Sequence, residues 1–323
     1  MNRRGSTSKL LDNQAGSVLI WVLLLTAPYW MPYVGGYTAL GTRVLVLALA
    51  AMAVNFLLGF SGVLSFGHAA YFGLGAYGAG MAIKYLYPST PLGMLVGVLA
   101  GTIAAMIIGA MIVRLRGVYF AMVTIAFGQV FYFIAFRWVS VTGGDDGLTG
   151  WRRVPLNLGF TSFDILHDDI AFYYLCLLSL AVSAGIMALL LRSPFGRTLL
   201  AIRENERRAW FLGIPVDRHI WLSFVISGFF ASLAGTLYAY LDNFVDPRAF
   251  HWQQSGDFVI MAVLGGMRSF WGPLIGAAIF AVLQDKISSV TDYWMSILGL
   301  FFVLAVVFFP RGVLGFVKRR QES

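Results

Sequence analysis

Long apolar runs alternate with short polar segments along the chain, at lengths that suit helices crossing a bilayer. About 20 apolar residues span the hydrocarbon core. Runs of that order cover 17–33, 43–60, 68–87, 92–113, 117–137, 170–191, 219–241 and 293–310. Between the last two, 257–286 reads as a hairpin of two shorter helices split at Gly265-Gly266-Met267-Arg268. The pattern predicts an all-α polytopic membrane bundle of about 8–10 transmembrane helices.

One stretch breaks the regularity. Asn55–Tyr77 (NFLLGFSGVLSFGHAAYFGLGAY) carries Gly59, Gly62, Gly67, Gly73 and Gly75, with Asn55, Ser61, Ser65 and His68 among them. In lipid every backbone amide needs a partner. A broken or re-entrant segment near 55–68 therefore survives only where protein or a water-filled cavity receives it. Two readings stand. The stretch borders a solute path, with Asn55, Ser61, Ser65 and His68 as candidate lining residues, or its small residues serve close helix packing. For His68 the packing alternative is a buried structural hydrogen bond.

Composition supports the membrane reading. The chain is 59% hydrophobic and 12% charged, against roughly 25% charged in soluble proteins; its mean hydropathy is +0.78. One domain, 17–317, is expected between a cytoplasmic tail, 1–16, and a second tail, 318–323. Arg3, Arg4 and Lys9 ahead of the apolar run Val18–Met31 follow the order of a signal peptide. No small-x-small cleavage pattern follows, so the run reads as an uncleaved first helix. The lone Cys176 lies in an apolar run and reads as a core residue.

The net charge of +8 bears on orientation rather than on nucleic acid. With a cytoplasmic N-terminus and one crossing per span, 16 of the 23 basic residues fall inside and 10 of the 15 acidic ones outside. That is a positive-inside distribution. It requires the 257–286 hairpin to enter and leave on the outer face, and it puts the C-terminus in the cytoplasm.

Two helices carry small residues every fourth position: Gly97, Gly101, Ala105, Gly109, and Ser227, Ala231, Gly235, Ala239. These read as packing faces. The outer loop, 138–169, contains Thr142-Gly143-Gly144-Asp145-Asp146-Gly147-Leu148. It reads as a turn-rich, solvated loop, with Asp145 and Asp146 as candidate contacts for an extracytoplasmic partner; the spacing is not that of an EF-hand. The inner loop, 192–218, has Pro194 and Gly196 at a helix break, helical composition over Thr198–Leu212, and Gly213 as a stop. Such a helix can rest on lipid headgroups or dock into a partner's groove.

Absent motifs narrow the function. There is no GxxxxGK[ST], HExxH or GxSxG, and His68, His167, His219 and His251 are scattered. No enzyme, metal site or cofactor of the chain's own is indicated. No carboxylate lies deep in an expected span; Asp257, Asp285 and Asp292 come nearest. This argues against a proton-coupled carrier. A permease driven by a separate ATPase and a passive small-solute pore remain. A structured cytoplasmic docking helix favours the first.

The motifs together resemble the branched-chain amino acid ABC importer permeases, in their LivM-type branch. The resemblance rests on the opening stretch, Leu115-Arg116-Gly117-Val118-Tyr119-Phe120-Ala121, the Thr142–Leu148 loop, Ser193–Arg197 with Ala201–Glu206, and Phe309-Pro310-Arg311-Gly312 with Leu314. It implies a second homologous permease, two cytoplasmic ATPases that use the ATP, and a solute-binding protein, in a bacterial inner membrane. It also implies that Arg197–Gly213, including Arg203, Glu204 and Arg207, couples to the ATPase. Asn205 and Glu206 depart from the acidic-then-Pro pattern of many members. Related permeases are associated with urea, short amides or other amino acids, so cargo is less constrained than class.

Overall fold

The computed structural model describes residues 14–153, 156–157, 162–163, 168–267, 269–308 and 312. Arg268, His167, residues 1–13 of the first tail, the second tail and the closing motif apart from Gly312 lie outside the described residues.

The chain is a helical bundle around one central post, α2 (Thr38–Ser61), 94% of whose most apolar stretch is buried. The sequence of α2 is apolar on every side, which suits a helix with no solvent face. Its neighbours are α10 (Val216–Asp242), α12 (Gly272–Ser288), α7 (Asp169–Arg192) and α11 (Trp252–Gly265). The remaining long helices are α1 (Gln14–Trp30), α3 (His68–Met81, extended by a π turn to Leu86), α4 (Thr90–Ile112), α5 (Val118–Arg137) and α13 (Trp294–Phe308). Short helices α6 (Val139–Thr142), α8 (Pro194–Glu204) and α9 (Glu206–Phe211) lie in the two polar loops. The described residues hold one strand pair, Leu156–Asn157 with Ser162–Phe163. Among the described residues, six helical stretches are long and apolar enough to cross a membrane: Gly16–Val34, which joins α1 to the short turn after it, and α2, α4, α5, α7 and α10.

Each expected span coincides with a helix, and the differences have physical causes. Helix α2 begins five residues before the expected 43, and Arg43, in its second turn, faces Asp242 on α10 at 3.7 Å. Helix α11 begins at Trp252 rather than 257. The side chain of His251 accepts from the Gln253 amide and starts the helix through its polar first turn. The irregular segment is also shorter than expected. Helix α2 stays regular through Asn55–Ser61 and stops at Gly62, whose φ of +78° is a left-handed helix terminus; glycine adopts it at little cost. Only 62–67 is non-helical before α3.

The hairpin has a defined direction. At the end of the bundle where α2 begins, Tyr37 donates to the Asp285 carboxylate at 2.7 Å and Lys286 donates to the Gly35 carbonyl at 2.9 Å. Its tip reaches the opposite end of α2. There Asn55 Nδ2 donates to the Ser269 carbonyl at 3.2 Å, and a Cβ on Gly59 would sit 2.3 Å from the Met267 carbonyl. Both stems therefore open toward the Gly35 end, as the charge distribution requires.

Small residues close the contact among α3, α4 and α10. A Cβ on Gly75 would lie 2.1 Å from the Ser232 carbonyl, one on Gly97 2.5 Å from the Gly75 carbonyl, and one on Gly235 1.8 Å from the Phe72 carbonyl. Ser232 Oγ donates to the Gly97 carbonyl at 2.9 Å and Thr236 Oγ1 to the Gly75 carbonyl at 3.2 Å. Backbones that approach this closely gain dispersion contact and side chain-to-backbone bonds, the forces that join helices in lipid. The expected packing faces are packing faces, and α3 belongs with them.

Candidate site where the break meets the inner loop

The break and the first turn of α3 are held by polar groups from two other helices and from the break itself. Thr124 Oγ1 on α5 accepts from the Phe66 amide at 3.1 Å, Ser255 Oγ on α11 accepts from the Ala69 amide at 2.8 Å, and Ser65 Oγ accepts from the Gly67 amide at 3.2 Å. This is how a break at membrane depth stays satisfied without water. None of these partners is near in sequence except Ser65, so Thr124 and Ser255 carry no local signal.

The four path candidates are all buried, and they do not form one cluster. Asn55 turns to the hairpin tip, and its Oδ1 is buried without a hydrogen bond. Ser61 bonds back to the Leu57 carbonyl at 2.5 Å but also borders a cavity. Ser65 serves the break itself. His68 Nε2 is 2.7 Å from Ser227 Oγ, which donates onward to the Ala53 carbonyl. Its Nδ1 is buried and makes no well-formed hydrogen bond, with the Ser65 backbone as its polar neighbour. Ser227 read as one more small residue in a stripe; it is also the partner that fixes His68. A pairing across 159 positions leaves no trace in periodicity.

The inner loop comes directly against this region. Arg203, on the last turn of α8, donates to the Gly59 carbonyl near the end of α2, and a Cβ on Gly62 would lie 2.9 Å from Arg203 Cγ. A cation here compensates the negative end of the α2 dipole and an orphan carbonyl together. Helix α9 follows at once, with Asn205 Oδ1 accepting from the Arg208 amide at 2.8 Å. Asn205, a departure from the family pattern, is thus a good helix N-cap. Gly213 ends this unit at φ +79°. Arg197, Glu204 and Arg207 are exposed, whereas Arg203 is half-buried. The coupling candidates therefore divide into an outward group and one inward arginine.

Arg116, between α4 and α5, holds the other side of the loop. It forms ion pairs with Glu206 of α9 and Asp217 of α10 and donates to the Val113 and Leu115 carbonyls. Burial alone would lower its guanidinium pKa. The hydrogen bonds to Glu206 and Asp217 outweigh that and hold it above its ordinary value. Between these elements and the break lies a cavity of about 670 Å³, bordered by Ser61, Leu64, Phe66, Val118, Met122 and Arg203. At the far end, Asp145 and Asp146 are exposed on a single helical turn, beside the bridge between Leu148 and Val245.

Comparison with known proteins accords with this geometry. The profile of the family described as "Branched-chain amino acid transport system / permease component" matches residues 36–306. The high-affinity branched-chain amino acid transport system permease protein LivM of Salmonella typhimurium strain LT2 is 29% identical, over 92% of this chain and 74% of its own length. The protein of the same name in Escherichia coli K12 is 28% identical, over 90% and 73%. An L-arabinose ABC transporter permease protein, AraH, from Azospirillum brasilense is 30% identical over 68% of this chain and 64% of its own length. No solved structure matches the chain significantly.

Proposed function

The chain belongs to the family of permease components of branched-chain amino acid transport systems, and from that premise we propose that it passes branched-chain or other hydrophobic amino acids inward by alternating access. A second homologous permease completes the path, two cytoplasmic ATPases supply the energy, and a solute-binding protein delivers cargo near Asp145 and Asp146. The inner membrane holds it with both termini cytoplasmic. The observation that carries the mechanism is the bond from Arg203 to Gly59. It ties the inner loop to the end of α2, where the helix gives way to the break, so displacement of α8 pulls on the break directly. Arg197, Glu204 and Arg207 meet the ATPase, and Arg203 transmits its movement. The apolar wall formed by Leu64, Phe66, Val118 and Met122 suits an aliphatic side chain held weakly enough to leave.

The two roles separate experimentally in the reconstituted complex. Arg207→Glu should reduce co-purification of the ATPases. Arg203→Gln should leave the complex assembled while uptake per ATP hydrolysed falls, by about tenfold. Unchanged coupling in Arg203→Gln would remove the transmission role. Co-purification of a second permease and two ATPases tests the assembly. Solute conduction by this chain alone, without ATP, would favour a passive pore.

A further inference from the structure

A second, larger groove lies beside α9, away from the break. It has a volume of about 960 Å³ and runs between the α4–α5 connection and the start of α10. Arg114, Arg116, Arg207 and Arg218 border it, with Trp210 and Phe211. Its two carboxylates, Glu206 and Asp217, are both engaged by Arg116. Arg114, Arg207 and Arg218 make no ion pair among the described residues, so the groove keeps an uncompensated positive charge.

Its apolar rim is unusually bare. Trp210, Phe211 and Leu212 are 66%, 78% and 74% exposed. Consecutive large apolar residues in water are costly, and Trp beside Arg is the composition of a headgroup layer rather than of an aqueous surface. An exposed apolar stripe on α4 leads toward the groove. Leu95, Leu99, Ile103, Ile107 and Met111, each four residues apart on α4, are all exposed, and Arg114 follows one turn after Met111. A lipid whose chains lay along that stripe would bring its phosphate to the arginines.

We propose that this groove binds the phosphate headgroup of an anionic membrane phospholipid, with the acyl chains lying along α4 and Trp210, Phe211 and Leu212 inserted beside them. The site would fasten α9 to the membrane while α8 moves. It does not depend on which solute the permease carries. Arg207 borders both this groove and the ATPase-facing surface, so Arg114 and Arg218 are its specific markers.

The test uses the assembled transporter in phosphatidylcholine nanodiscs doped with photoactivatable phosphatidylglycerol. In the unmodified protein, cross-links should fall on Arg114 and on the 207–218 segment. Unlabelled phosphatidylglycerol should compete, and phosphatidylcholine or inorganic phosphate should not. At about 1 kcal/mol, or fivefold, for each arginine near an anionic surface, R114Q/R218Q should label roughly 25-fold less. Equal labelling from both lipids would overturn the proposal, as would competition by inorganic phosphate, which would mark a free-anion site. Protection of the groove by a bound ATPase or second permease would also overturn it. Because the cross-link map is read on unmodified protein, the outcome does not depend on the variant folding.

Discussion

At the break, 62–67, glycine is present for a backbone angle; where α3, α4 and α10 meet, it is present because it has no side chain. Gly62 turns left-handed and faces the flexible stem of Arg203, which can move aside. Gly235 and Gly75 are regular helical residues pressed against the carbonyls of Phe72 and Ser232, which cannot. The two regions are joined end to end in Asn55–Tyr77 and look alike as sequence. One is a seam meant to be held by changeable contacts, the other a fixed plate against which movement can be referred. If that division is right, substitutions in the plate should cost assembly, and substitutions in the break should cost transport first.

The largest effect is expected in the plate. Gly235→Val would force the Phe72 backbone away from α10, and overpacking of this kind costs about 1–3 kcal/mol or more. The protein should be recovered poorly, with a thermal transition in detergent well below that of the native chain. Gly185→Ala on α7, where an added Cβ meets nothing within 4 Å, should leave the transition in place. A native-like Gly235→Val would mean that α10 is free to shift.

A middle effect is expected from Ser227→Ala, which crosses the division. Ser227 belongs to the stripe by spacing, yet it bonds to His68 at the start of α3. Removing its hydroxyl leaves the second ring nitrogen, Nε2, buried and unsatisfied as well, at about 1–3 kcal/mol. Stability should fall while the KM for cargo stays put. An unchanged transition with a raised KM would instead make His68 a cargo contact.

The pattern of apolar runs revealed the helices because membrane helices satisfy their own backbones, and each therefore announces itself locally. Charge asymmetry extended this to the hairpin, since a wrong number of crossings would have reversed the arginines. The site was less legible. Arg203 and Gly59 are 144 residues apart, and the motif around Arg116 does not contain its partners Glu206 and Asp217. Asn55, Ser61, Ser65 and His68 drew notice together because they are close in sequence. In space Asn55 serves the hairpin, Ser65 the break and His68 the α10 contact, and Ser61 borders the cavity. Polar residues in a membrane helix signal that a partner exists, but the partner's identity is set by tertiary packing.

The smallest effect on stability, and the sharpest on the comparison, is expected at Gly62. An L-residue in the left-handed region costs about 1–2 kcal/mol, with Asn the best tolerated. Gly62→Asn should therefore fold nearly as well as the native protein, whereas Gly235→Asn should not. Its Cβ nevertheless displaces Arg203 Cγ, which approaches to 2.9 Å, and so disturbs the bond from Arg203 to the Gly59 carbonyl. Uptake should fall several-fold at a thermal transition close to the native one, and combining Gly62→Asn with Arg203→Gln should add little further loss, because both remove one connection. Additive losses from the pair would show that the break and the inner loop act separately, and the seam would then be no more than a second piece of the plate.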